Sequence, residues 1–281
     1  MVISPHADDA AAFCGGTLAK FARDGWRVLF VRVTDDAKDA VGLSAQEATA
    51  RNRVECAEAA RCLGAAEVID LDFPTDTLGD VSRVALRERF VYLFRKHRPY
   101  AVFSFDPFGM YEGNLDHTVT AQAVEEAYWV ACFDLHHPEH FAEGLAPFAV
   151  CERWYFARQL PEVTHVEDIT GTWEHKVAAL VANQTMLRNV VQLTRLQLET
   201  YGRRAPLLDA AQRDGLRPLL EMVVHQEGTA VAAEAGLPEG HLAEAFRLVR
   251  FGALEPLLRT ISEPLPGAPE PPHRPSLGDA G

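Results

Sequence analysis

Cysteine is scarce in this chain and poorly spaced for chemistry. Cys14, Cys56, Cys62, Cys132 and Cys151 are odd in number, and no two form a CxxC pair. That spacing excludes a disulfide framework and a thiolate zinc site, and it predicts a reducing, cytoplasmic setting. Basic residues are in deficit: 27 Lys and Arg stand against 40 Asp and Glu, for a net charge of −13. So acidic a chain argues against nucleic acid or an anionic membrane as main partner and favours a neutral or cationic small substrate. No apolar run reaches the roughly 18 residues needed to span a bilayer, and no basic-then-apolar leader opens the sequence. No GxGxxG follows the first β-branched stretch, which removes the signature of a nicotinamide cofactor. The expectation is a cytoplasmic protein with a small-molecule partner, no nucleic acid and no membrane insertion. Homo-oligomerisation is left open.

What is present reads as strands alternating with helices. Val2-Ile3-Ser4 begins a strand, Trp26 to Thr34 a second, Ala66 to Leu71 a third and Tyr100 to Phe105 a fourth. Between them Ser44 to Leu63, with Gly64 as a stop, and Val81 to His97 carry helical patterns, and Asp116 or His117 to Val130 follows. This alternation predicts an α/β fold, a Rossmann-like three-layer α/β/α arrangement around a mostly parallel sheet. The second half reads as a smaller α+β extension. Val150 to Arg158 is strand-like and Glu162 to Ile169 is expected to pair with it. Thr172 to Tyr201 is one long helix or two broken near Asn183, and Leu216 to Val224 and His241 to Phe246 are expected to be helical. The layout is a single domain over 1–261, with a core of 1–150, a C-terminal subdomain of 150–261 and a Pro-rich, disordered tail over 262–281.

The chemistry concentrates at two strand ends. Pro5-His6-Ala7-Asp8-Asp9 sets an imidazole and two carboxylates on the turn from first strand to first helix. Such a mixed nitrogen and oxygen set suits a borderline divalent ion, and a hydrolase using metal-activated water needs a spare carboxylate beside it. An Asx turn with a helix N-cap accounts for the same two Asp residues. The loop after the fourth strand, Asp106 to His117, is the other polar cluster. In open α/β sheets both strand ends lie on the ligand-binding edge.

Pro5-His6-Ala7-Asp8-Asp9 followed by Gly15-Gly16-Thr17, Thr34-Asp35-Asp36, Arg53-Val54-Glu55, Asp106-Pro107 with Asp116-His117, and Ala243-Glu244-Ala245-Phe246-Arg247 together resemble the LmbE/PIG-L family of metal-dependent N-deacetylases. Tyr111-Glu112 resembles its diacetylchitobiose deacetylase branch in particular. The resemblance implies one Zn2+ per chain held by His6, Asp9 and His117, with Asp8 as general base. It implies removal of an acetyl group from an N-acetylated amino sugar or sugar conjugate. Fe2+, Co2+ and Mn2+ suit the same donors. The alternatives are an N-deacylase for a longer acyl chain or non-sugar amide, and an inactive metal-binding or ligand-binding relative.

Two positions depart from the family pattern. Asn114 stands where the family often has His, and its amide donates a hydrogen bond but no proton at pH 7. Ala10 stands where Glu is usual. Asn114 and Asp116 complete the expected catalytic set, with Asp116 orienting His6 or Asn114. Arg53, Tyr111 and Glu112 are candidates for substrate binding. For Arg53 an ion pair with Glu55 or Asp35 is the plain alternative, and Tyr111 and Glu112 equally suit a loop-shaping role. His136, His137 and His140 form a cluster that could bind metal but are expected on a loop near the pocket rim, and His225 and His241, the candidates for the missing histidine, are expected in structural roles.

Overall fold

In the computed structural model residues 1–209 and 215–267 are described. One seven-stranded sheet runs in the order β3-β2-β1-β4-β5-β7-β6. Its strands are β1 (Val2–Ser4), β2 (Leu29–Thr34), β3 (Glu67–Phe73), β4 (Ala101–Phe105), β5 (Glu152–Phe156), β6 (His165–Asp168) and β7 (Ala243–Val249). The pairings β1–β2, β2–β3, β1–β4 and β4–β5 are parallel, whereas β7 runs antiparallel to both β5 and β6. The helices are α1 (Asp9–Arg23), α2 (Ala45–Cys62), α3 (Arg83–His97), α4 (Leu115–Val130), α5 (Glu139–Ala142), α6 (Trp173–Ala182), α7 (Gln184–Thr200), α8 (Arg217–Glu234) and α9 (Glu255–Ile261). This is the Rossmann-like arrangement expected.

Period-two alternation builds the two cores. Val2, Phe30 and Phe103 point to one face, where they pack with α1, α2 and α6 through Leu18, Ala59 and Val177. Ile3, Val31 and Val102 point to the other, against Phe90 and Phe94 of α3 and Val124 of α4. Helix α2 starts in a full capping box, Ser44 with Glu47, and ends before Gly64, whose φ of +73° only glycine adopts freely.

Two expectations needed correction. His241 to Phe246 is not helical: Ala243–Val249 is a strand seated between β5 and β6. A short apolar run reads equally as helix or strand, and here free edges on both neighbours decided it. Glu162 to Ile169 supplies β6, but β6 pairs with β7 and not with β5. The long helical stretch is two helices that meet at Asn183. The tail beyond residue 267 lies outside the described residues.

Candidate metal centre

The chain order reverses between β1 and β4, and the polar clusters sit at the carboxyl ends of those two strands. Strand β1 delivers Pro5 and His6 directly into α1. Asp8 takes the N-cap position of that helix with φ −97° and ψ −18°, yet its side chain makes no capping hydrogen bond. Asp9 turns back instead, and its Oδ2 accepts the His6 backbone N–H at 2.8 Å. From the other strand end, Asn114 caps α4 by accepting the Asp116 N–H at 2.9 Å, which starts the helix where Asp116 and His117 point inward.

His6, Asp9 and His117 converge. His6 Nδ1 and His117 Nε2 are 3.1 Å apart. Asp9 reaches the first at 3.4 Å through Oδ2 and the second at 3.3 Å through Oδ1. A tetrahedral ion at about 2.0–2.1 Å from each donor spaces them roughly 3.3–3.4 Å apart, so this triangle has the size such an ion requires. All three residues are buried.

The outward nitrogen of each ring meets a carboxylate. Asp116 Oδ2 lies 3.3 Å from His6 Nε2 and also accepts the Asp76 N–H at 2.6 Å. Glu112 Oε2 lies 2.9 Å from His117 Nδ1. Phe105 stacks on the face of His117 with centroids 4.0 Å apart. This is the outer arrangement that fixes tautomer and ring orientation in metal sites.

Electrostatics favour a positive charge at this point. Burial opposes protonation of His6, but Asp116, Asp9 and Asp36 outweigh it and hold its pKa well above the usual value. His117 is likewise raised to about 9, against burial, by Asp9 and Glu112. Asp9 is held far below the carboxylate range by the two rings, although burial alone would raise it. Asp8 goes the other way: burial and the adjacent Asp9 push it up to about 7. Two neighbouring carboxylates thus carry opposite shifts.

The remaining candidates fall as follows. Arg53 is half exposed and pairs with Asp72 at 2.5 Å and Asp70 at 3.8 Å, not with Glu55 or Asp35. Glu55 instead accepts from the Thr185 N–H and hydroxyl at the start of α7. Tyr111 is 81% exposed and sits in the left-handed region with φ +59°. Glu112 shapes the loop by accepting the Asn114 N–H at 2.9 Å. His136, His137 and His140 are not near the rim. They follow α4 at the opposite edge of the sheet, where His140 lies between Glu88 and Arg95. His241 pairs with Asp168, and His225 packs on Trp173.

Sequence reasoning missed Asp39, whose Oδ2 stands 3.7 Å from His6 Nε2. Its place just past β2, at a strand end on the same edge, was the available signal. It also missed Arg247, which clamps Asp106 through two nitrogens at 2.6 and 2.9 Å and so ties β7 to the metal-site loop.

The family model described as PIG-L: GlcNAc-PI de-N-acetylase matches residues 1–128, the stretch that carries the whole histidine and carboxylate set. Over this stretch the chain is similar to the PIG-L/LmbE family. Among curated relatives, the diacetylchitobiose deacetylase of Thermococcus kodakarensis is 28% identical, over 66% of this chain and 68% of that protein. The 1D-myo-inositol 2-acetamido-2-deoxy-alpha-D-glucopyranoside deacetylase of Mycobacteroides abscessus is 27% identical, over 66% of this chain and 81% of that protein. The fold is shared with N,N'-diacetylchitobiose deacetylase from Pyrococcus horikoshii, with a TM-score of 0.70, 22% identity, and coverage of 91% of this chain and 87% of that one. Among the described residues no helix is long and apolar enough to cross a membrane.

Proposed function

We propose that the chain is a zinc-dependent N-deacetylase that hydrolyses the acetamide of an N-acetylated amino sugar or sugar conjugate. The observation that carries this reading is the His6–Asp9–His117 triangle with Asp8 beside it as a carboxylate that serves no helix cap. The family and the printed activities of the relatives supply the acetamide.

When bound, zinc lowers the pKa of water and polarises a carbonyl oxygen. His6, Asp9 and His117 hold the ion. Asp8 accepts the proton of the attacking water at its carboxylate and returns it to the departing amine nitrogen, giving acetate and a free amino sugar. Asn114 has committed its side-chain oxygen to the α4 cap. Its Nδ2 hydrogens remain as donors to the developing oxyanion, and proton return stays with Asp8. Asp116 positions His6. Tyr111 offers an exposed ring to the apolar face of a pyranose, whereas the charge of Arg53 is matched by Asp72. Nitrogen and oxygen donors favour zinc but also accept Fe2+, Co2+ and Mn2+.

The test is release of free amine from a panel of N-acetylated sugars, with and without chelator. Turnover should vanish on chelation and return with Zn2+. Asp8→Ala should keep its zinc by metal analysis and lose on the order of 10²–10⁴-fold in kcat. Metal-free protein that still turns over, or an active Asp8→Ala, would overturn the mechanism.

A further inference from the structure

We infer that Glu112 is the positioning residue of His117, holding the ring by Nδ1 so that Nε2 stays on the metal side. This rests on the metal reading above. It removes Glu112 from the sugar-binding set. The Glu112 Oε2 to His117 Nδ1 distance is 2.9 Å, and on the other side of the ring Nε2 faces Asp9 Oδ1 at 3.3 Å.

The carboxylate is itself fixed. Oε1 accepts the Asn114 N–H at 2.9 Å, Arg158 Nε approaches Oε2 at 3.3 Å, and only 7% of the side chain is exposed. Oε1 is thus occupied, and Oε2 is buried with no other polar partner beside it than His117 Nδ1 and Arg158, out of reach of a sugar hydroxyl. With Phe105 stacked on one face, the ring has a platform, an anchored edge and a ligand edge. A carboxylate at Nδ1 keeps the hydrogen there and leaves the Nε2 lone pair for the ion, while raising its basicity. The pattern then matches that of His6, whose outward nitrogen meets Asp116.

Zinc affinity of the whole protein, by competition with a chromophoric chelator, tests this apart from activity. Glu112→Gln should weaken zinc binding by about 10–100-fold, and Glu112→Asp should recover part of it. KM for a sugar that the wild type turns over should change little. Arg158→Gln, which leaves the carboxylate in place, should bind zinc nearly as the wild type does. Wild-type zinc affinity in Glu112→Gln together with a raised KM would return Glu112 to the substrate and overturn the inference alone. If Glu112→Gln fails to fold, Glu112→Ala decides: unchanged zinc affinity in it would likewise overturn the inference. A wild type that binds no zinc would overturn the metal reading and this inference with it.

Discussion

Asp8 and Asp9 are chemically identical neighbours that the fold makes into opposites. Asp9 is surrounded by two imidazoles and a backbone N–H, whereas Asp8 meets burial and the charge of Asp9. The Asp8 carboxyl, at about 7, therefore binds its proton more tightly in the folded chain than in the unfolded one, where the value is about 3.9. Folding stability from this group is full below pH 4 and is lost as pH rises through 7, because the folded state then carries an unwanted charge. Metal-free Asp8→Asn should accordingly melt higher than metal-free wild type at pH 8, by about 2–4 °C for each kcal/mol relieved. The gap should close toward pH 4, where both side chains are neutral. Equal melting temperatures at pH 8 would remove the argument. The convergence of His6, Asp9 and His117 was legible in the sequence because residue type and strand-end position both mark them. For Glu112 the sequence left sugar contact and loop shaping open, because its approach to His117 depends on the left-handed turn at Tyr111. For Arg53 an ion pair was one of the two readings, but its partner Asp72 was not legible because it comes from β3, across from helix α2.

At the scale of the element, α1 is two helical pieces and not one. Cys14 leaves the helical region with φ −142° and ψ 18°. The backbone N–H groups of Gly16 and Thr17, freed by that break, donate to Glu244 of β7 at 3.1 and 2.8 Å. Lys176 balances the buried carboxylate at 2.7 Å. A glutamate from the far end of the chain thus serves as the cap of an internal helix start, which explains why the Ala243–Arg247 segment belongs with the opening motif. Gly16 is required by space: a Cβ there would meet Ile169 Cδ1, Cβ and Cγ2 at 2.7, 2.8 and 2.8 Å. A β-branched side chain cannot swing all three atoms aside, so Gly16→Ala should cost about 1–3 kcal/mol and lower the melting temperature. Zinc affinity should fall as well, since α1 carries Asp9. A variant as stable as wild type would show that α1 can shift freely. The elements of the first half were legible from their alternation and caps. Strand β7 was not, because its partners β5 and β6 lie nearly 90 and 75 residues earlier in the chain.

At the scale of the molecule, the strand order places the reversal between β1 and β4, and the same edge gathers the acidic residues that end β1, β2 and β3. The cations there are matched: Arg32 by Asp36 and Asp70, Arg53 by Asp72, and Lys38 lies 3.6 Å from Asp76. Asp8, Asp39 and Asp116 remain around the histidines, on a chain of net charge −13. A bound dication offsets part of this field at the reacting atoms, but not at the mouth, where the rest of a sugar would lie. The surroundings therefore admit neutral or protonated sugars more readily than anionic ones. N-acetylglucosamine 6-phosphate should show a kcat/KM about tenfold or more below that of N-acetylglucosamine at low ionic strength. Added salt should narrow the difference, because exposed charges are screened beyond about 8–10 Å at 0.1–0.15 M. Equal rates for the two sugars at low salt, or a gap indifferent to salt, would mean that contacts and not the field set the preference. The proposed deacetylase chemistry would stand in either case, since that proposal rests on the buried triangle and not on the charge of the rim.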